Sequence, residues 1–385
     1  MQLEEIGVDP RGAEIMAEKF QYFTIRLFHL NLRQAAILKQ EMLAEGAEAA
    51  VPGPVFNGET DAAGADQVLL NGTLRQIRKL IAKLRELPLD LAELGDRLER
   101  ALVNYTAARP PIYVKGQVYD WRRTYIMGII NLTPDSFSQD GLYSRANYID
   151  RALAQAEQMV KDGADFLDVG AESTRPGYRK LDVTEEENRL LPALRELRST
   201  VRVPLSVDTY KPEIAAQALE LGADIINDIW GLQAPDDSGH RMAQVIAAAG
   251  APVVVMHNRE EPGYDHLMKE MVAWLGHSLE IAAAAGIRAD RMLVDPGIGF
   301  GKRYEDNLTA LRNLSQLKIL GKPILLGTSR KSVIGLTLDL PVDQRLEGTI
   351  ATAVWGMFQG ANIIRVHDVR EVTRAIRMGE AIRAI

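Results

Sequence analysis

The sequence predicts an α/β protein: a closed (β/α)8 barrel of the TIM type, preceded by a small, mainly helical N-terminal domain. Three observations predict it. Eight short apolar runs after Tyr125 each stop at a polar or charged residue. A helical stretch follows each run, which is the alternation of parallel βαβ units. Eight such units in about 265 residues is the size of a closed barrel, a fold that gathers its chemistry at the C-terminal ends of its strands. The runs are YIMGII before Asn131, FLDVG before Glu172, PLSV before Asp208, DII before Asn227, PVVVM before His257, MLV before Asp295, PILLGT before Ser329 and NII before Arg365. Their polar ends should converge on one mouth.

A chain of 385 residues is long for one domain, so a division into 1–120 and 121–385 is expected. Before about Arg123 the texture is different. Residues 33–50 read as a helix with Ala35, Leu38 and Met42 on one stripe, ended by the VPGPVFNGETDAAGAD segment. LRQIRKLIAKLREL sets Leu74, Ile77, Leu80, Ile81 and Leu84 at helical spacing, Pro88 stops it, and LAELGDRLERALVNYTAA forms a further helix. Two roles fit this region, a helical cap and a partner-binding or oligomerisation element. The cations Arg75, Arg78, Lys79, Lys83 and Arg85 could form an anion-binding face, although such rows are commonly solvated helix surface. ARPPIYVKGQVYDWRR reads as the linker, because adjacent prolines forbid helix continuation.

In the barrel, GADFLDVG and GADIINDIWG each start with the small turn that ends a helix and launches a strand. Pro212, after SVDTYK, sits where a helix tolerates a missing N–H.

Composition narrows the class. No apolar stretch approaches the roughly 20 residues that span a bilayer, and the N-terminus lacks a basic start followed by an apolar segment, so a cytoplasmic protein without a membrane partner is expected. The chain has no cysteine, which excludes disulfides, thiolate metal sites and a cysteine nucleophile. A net charge of −7 argues against nonspecific nucleic-acid binding.

Asp208, Asn227 and Asp295 end the third, fourth and sixth strands. Two carboxylates and an amide suit a flat heterocycle whose edge offers donors and acceptors, because carboxylates accept while an amide does both. Only His257 ends a strand nearby, so a metal site built wholly of protein is not expected. GTSRKS supplies Ser329, Arg330, Lys331 and Ser332, and RVHD supplies Arg365 and His367. Loops after strands seven and eight form the common phosphate corner of this barrel class. Two residues apart on an extended segment, Arg365 and His367 point the same way and can grip one anion. DPGIGFGKR is neither a dinucleotide fingerprint nor a P-loop, and reads as a loop bringing backbone or Phe300 close to a ligand. ESTRPGY, with Thr174, Arg175 and Pro176, is a turn that could close over the mouth or simply sit on the surface.

MGIINLTPDSFS, DVGAESTRPG, PLSVDTYKP, IINDIWG, VVVMHN, LVDPGIGFGK, GTSRKS and IIRVHDV resemble, in order, the signature segments of the dihydropteroate synthases, from about Tyr125 to the end. The resemblance implies a pterin-binding barrel that joins 4-aminobenzoate to 6-hydroxymethyl-7,8-dihydropterin diphosphate, releasing diphosphate and forming dihydropteroate for folate biosynthesis. It also implies roles. Asp208, Asn227 and Asp295 would bind the pterin with Met256 against the ring, and Lys331 would reach it beside the aminobenzoate position. Arg365 and His367 would hold the diphosphate, and Asn131 would help hold the Mg²⁺ that the diphosphate brings. Thr174, Arg175, Pro176, Phe300 and Ser332 would form the aminobenzoate pocket. The family usually forms homodimers through barrel helices.

Displacing diphosphate from a carbon on an electron-rich ring can proceed by departure first, leaving a delocalised pterin cation. Such a step needs a cationic clamp on the leaving group and negative charge near the ring. Lys331, Arg365 and His367 would supply the first, and Asp208 and Asp295 the second. The first loop reads FSQDGLY where the family commonly has FSDGG, and residues 1–120 fall outside the core resemblance. The alternative is a folate-dependent methyltransferase on the same pterin-binding barrel, which should lack TPDSFS, STRPG and the paired SRK and RVH segments found here.

Overall fold

The computed structural model describes residues 2–57, 65–88, 90–132, 148–172 and 180–384. Backbone contacts divide the chain into two compact units, Met1–Asn104 and Tyr105–Ile385. The sequence placed the division at 120.

The first unit is mainly helical and also contains an antiparallel sheet that the sequence reading did not foresee. Its strands are β1 (Tyr22–Leu30), β2 (Glu48–Ala50) and β3 (Ala65–Thr73), in the order β1-β3-β2. Helices Leu32–Ala44, Leu74–Leu84 and Leu91–Thr106 share a core with the sheet through Leu38, Met42, Leu70, Ile77, Leu80, Leu84 and Leu98. Two of these helices start at capping boxes, Asn31 with Gln34 and Thr73 with Gln76, where each side chain satisfies the other's backbone N–H. The expected helix over 33–50 stops at Ala44, since Gly46 takes a left-handed φ of 69° and Glu48–Ala50 joins β3. The cationic row resolves into surface ion pairs. Arg78 pairs with Glu18, Lys79 lies 2.6 Å from Glu45, Lys83 lies 2.7 Å from Glu41, and Arg85 lies 2.9 Å from Asp96.

In the second unit the proposed linker turns out to contain structure. Strands β4 (Ile112–Val114) and β5 (Gln117–Tyr119) form a hairpin whose turn, Lys115-Gly116, has the two positive φ values of a tight reversal. Ile112, Val114 and Tyr119 are buried, so the hairpin is part of the barrel's packing.

All eight expected barrel strands form: β6 (Tyr125–Asn131), β7 (Phe166–Gly170), β8 (Leu205–Asp208), β9 (Ile225–Asp228), β10 (Val253–Met256), β11 (Met292–Asp295), β12 (Leu325–Leu326) and β13 (Ile363–Val366). They are parallel, in the order β11-β10-β9-β8-β7-β6-β13-β12, and a bridge from Val294 to Ile324 closes the ring. The architecture is the predicted (β/α)8 barrel. Side chains alternate along each strand. One set, including Ile126, Leu167, Val169, Val253, Val255 and Ile364, packs outward against the helices. The other fills the barrel floor: Tyr125, Met127, Phe166, Ile225, Val254, Leu293, Leu325 and Ile363, capped by the hairpin. Tyr119 seals it, its ring 4.4 Å from that of Phe166 and 5.0 Å from that of Tyr125.

Candidate active site

Counting two residues onward from the floor keeps to the inward face, and there the chemistry changes. Phe166 gives way to Asp168, Ile225 to Asn227, Val254 to Met256, Leu293 to Asp295 and Ile363 to Arg365. The register seats Asp208 beside Asn227 and Met256 beside Asp295. The expected pterin contacts Asp208, Asn227, Met256 and Asp295 therefore lie on four neighbouring strands.

Arg365 organises this layer. Its Nε donates to Asp168 Oδ2 at 2.6 Å and its Nη2 to Asp208 Oδ2 at 2.8 Å. Asn227 Nδ2 donates to the same Asp168 oxygen at 3.1 Å, which orients the amide. Burial opposes the guanidinium charge, and Asp168 and Asp208 more than offset it. Asp168 was not among the sequence's candidates, although it is wholly buried and central to the site. Its signal was its position, two residues before Gly170 on the inward face. Asp168 Oδ1 and Ser206 Oγ are buried without a hydrogen-bond partner among the described residues. They leave polar capacity in this layer for a ligand.

The carboxylates and Lys331 tune one another. Burial pushes Asp208 up to about 7, the neighbouring Asp168 and Glu186 add to the rise, and Arg365 works against it. Burial also raises Asp295, opposed first by Lys331 and then by the Gly297 N–H, which donates to Asp295 Oδ1 at 2.7 Å. Lys331 moves the other way, down to about 8, because burial disfavours its charge while Asp295 supports it. Its ammonium donates to the Ile298 carbonyl and sits 4.6 Å from the centre of the Phe300 ring, tying the loop after β12 to the loop after β11.

At the rim, Asn131 and His367 meet across β6 and β13. Asn131 Nδ2 lies 3.2 Å from His367 Nε2, and Ser329 Oγ lies 2.9 Å from His367 Nδ1. With the amide donating, the ring proton is assigned to Nδ1. Ser329 Oγ also accepts the His367 N–H at 3.1 Å, so the strand-seven end fixes the strand-eight end. Arg330, which the sequence grouped with the anion clamp, is instead bidentate to Asp368, with contacts of 3.1 and 2.6 Å. Ser332 begins the helix Ser332–Leu338 and is exposed. Thr174, Arg175 and Pro176 lie outside the described residues. No group of three or more Asp, Glu, His or Cys residues suited to a metal occurs among the described residues.

A parallel barrel whose mouth stacks carboxylates, an amide, a methionine and buried cations defines an enzyme for a nitrogen heterocycle that bears an anion. The pterin-binding enzyme family model matches residues 127–367. A dihydropteroate synthase of Clostridium beijerinckii is 49% identical over 261 residues, covering 68% of this chain and 94% of its own. The solved dihydropteroate synthase of Clostridium difficile, in the presence of pteroic acid, is 47% identical with a TM-score of 0.64, over 68% of this chain and 97% of that one. A probable bifunctional folylpolyglutamate synthase/dihydropteroate synthase of Halobacterium salinarum is 38% identical over 388 residues, 99% of this chain and 45% of that protein. The chain belongs to the dihydropteroate synthases, within the pterin-binding enzyme family. The N-terminal unit lies outside the family model and inside the similarity to the Halobacterium protein.

Proposed function

We propose that the mouth performs the synthase reaction with the following division of labour. The observation that carries it is the inward layer itself, in which Arg365 bridges Asp168 and Asp208 beside Asn227 and Asp295. Asp208, Asn227 and Asp295 take the donor and acceptor edge of the pterin, and Met256 packs on its face. Two carboxylates beside the ring favour positive charge developing there as the C–O bond to diphosphate breaks. Arg365, His367 and Lys331 hold the departing anion, which leaves with the electron pair. The neutral arylamine of 4-aminobenzoate then forms the C–N bond and loses a proton. Phe300 and Ser332, with Thr174, Arg175 and Pro176, form its pocket.

Mg²⁺ is proposed to arrive with the diphosphate. Asn131 turns its Nδ2 toward His367, and its amide oxygen is a hard donor of the kind that suits Mg²⁺, so Asn131 would help hold the ion. When bound, the ion supplies charge neutralisation of the leaving group. A homodimer is proposed through the last three helices. Trp355 with Phe358, and Met378 with Ile382, are exposed apolar pairs at helical spacing, and Leu336 stands out from the preceding helix. A cytoplasmic location is part of the proposal. No helix among the described residues is long and apolar enough to cross a membrane.

The test is formation of dihydropteroate from the pterin diphosphate with 4-aminobenzoate and Mg²⁺, followed together with diphosphate release. Dihydropteroate should require both substrates and stop with a chelator. Failure to form it with both substrates present would overturn this reading.

A further inference from the structure

Lys302, in the loop after β11, and His257, which follows β10, have no place in the division of labour above, yet they meet at one buried point. Lys302 is partly exposed as a residue, and its ammonium is directed inward. It lies 2.8 Å from His257 Nδ1, 2.9 Å from the Gly297 carbonyl and 3.0 Å from the Phe300 carbonyl. Burial pushes Lys302 down to about 7 while the charge of Asp295 supports its proton, and its N–H donors meet neutral acceptors only: these three groups, with the His257 carbonyl a fourth at 3.5 Å. His257 is 2% exposed, with its ring edge-on to Trp274 at 5.3 Å. Burial, and Lys302 next to it, push the imidazole down to about 2, so it is neutral and Nδ1 can accept.

The loop's own backbone is pressed against the same place. A Cβ on Gly297, whose φ is 64°, would lie 1.9 Å from the His257 carbonyl oxygen, and one on Gly301 would lie 2.2 Å from that of Arg259. Asn307 Oδ1 accepts the Gly299 N–H at 2.6 Å and completes the pinning. This one loop presents two of the proposed contacts. The Gly297 N–H fixes Asp295, and Phe300 carries its ring to Lys331.

We propose that Lys302 is a positioning residue for pterin recognition: with His257 as its buried acceptor, it gathers the loop carbonyls around one point and so sets Asp295 and Phe300. It touches no substrate and acts through the loop. Glycine supplies the close approach, and the lysine adds donors to the loop carbonyls, including that of Gly297, which also accepts the Phe300 N–H at 3.1 Å. The inference rests on the synthase reading, because it assumes that Asp295 contacts the pterin.

The test compares Lys302→Met with the parent in kcat, in KM for each substrate, and in affinity for pteroic acid. Loss of this buried hydrogen-bond network should raise KM for the pterin diphosphate and weaken pteroic acid binding about tenfold, more than kcat changes. Unchanged KM and affinity in a folded variant would overturn the proposal. A second pair keeps the question open to test if Lys302→Met fails to fold. His257→Asn retains an acceptor near the Nδ1 position and should stay close to the parent, whereas His257→Leu removes it and should weaken binding in the same direction. Equal behaviour of the two would overturn it as well. Parent protein that binds pteroic acid but releases no diphosphate would sink the synthase reading alone, because the affinity comparison still decides the role of Lys302.

Discussion

The floor and the mouth of the barrel are made by the same strands, two residues apart, and are chemically opposite. Below lie Phe166, Ile225, Leu293 and Ile363, sealed by the hairpin; above lie Asp168, Asn227, Asp295 and Arg365. Both layers are buried, so burial alone does not separate structure from function. What separates them is partnership. The floor needs only shape and area. The mouth carries charges that persist in the interior because each has a partner, and removing one partner strands the other. Polar capacity in excess of those partnerships, at Asp168 Oδ1 and Ser206 Oγ, is what a ligand can use.

The sharpest way to break the comparison is Arg365→Ala. It removes the cation proposed to hold diphosphate and leaves Asp168 and Asp208 facing each other. We expect diphosphate release to fall about a hundredfold or more, measured as kcat/KM, together with lowered thermal stability. Floor substitutions should do the reverse. Phe166→Ala should cost about 3–5 kcal/mol in denaturant unfolding while the folded fraction keeps the parent KM for both substrates.

A pH profile probes the mouth without mutation. Asp208, pushed up to about 7, gains a proton and loses its charge as pH falls through that value. Lys331, pushed down to about 8, loses its charge as pH rises past it. The free enzyme's kcat/KM should therefore be bell-shaped with its maximum between about 7 and 8. A flat profile from pH 6 to 9 would contradict both assignments. The smallest effect belongs to the N-terminal cations. Arg78 is paired with Glu18 at the surface, so Arg78→Ala should leave the unfolding midpoint and the activity unchanged within error.

Much of this was legible in the sequence, for identifiable reasons. Each barrel strand is a short apolar run that stops at a polar residue, and in a closed parallel barrel those stops must share a mouth. The same alternation contained Asp168, but that position lies within an apolar run and not at its end, so attention to strand ends passed over it. The hairpin was hidden because its strands are three residues each, too short for a periodic pattern, and adjacent prolines gave the region the look of a linker. The N-terminal sheet was missed although β1 alternates from Tyr22 to Leu27. Its partner is β3, which also pairs with β2; those two strands flank a loop-like segment and give no local hint of pairing. Lys302 and His257 are 45 residues apart, and their contact depends on a loop conformation that three left-handed glycines permit. Sequence pattern carries no signal for it.

The most direct measurement is pteroic acid affinity, by calorimetric titration, for two single variants of β11: Asp295→Asn in the mouth and Leu293→Ala in the floor. The account predicts that Asp295→Asn, nearly the same size and still folded, weakens binding about tenfold or more, while folded Leu293→Ala binds like the parent despite its lower stability. Parental affinity in Asp295→Asn, or equal losses in the two, would contradict the division of each strand into a structural layer and a recognition layer.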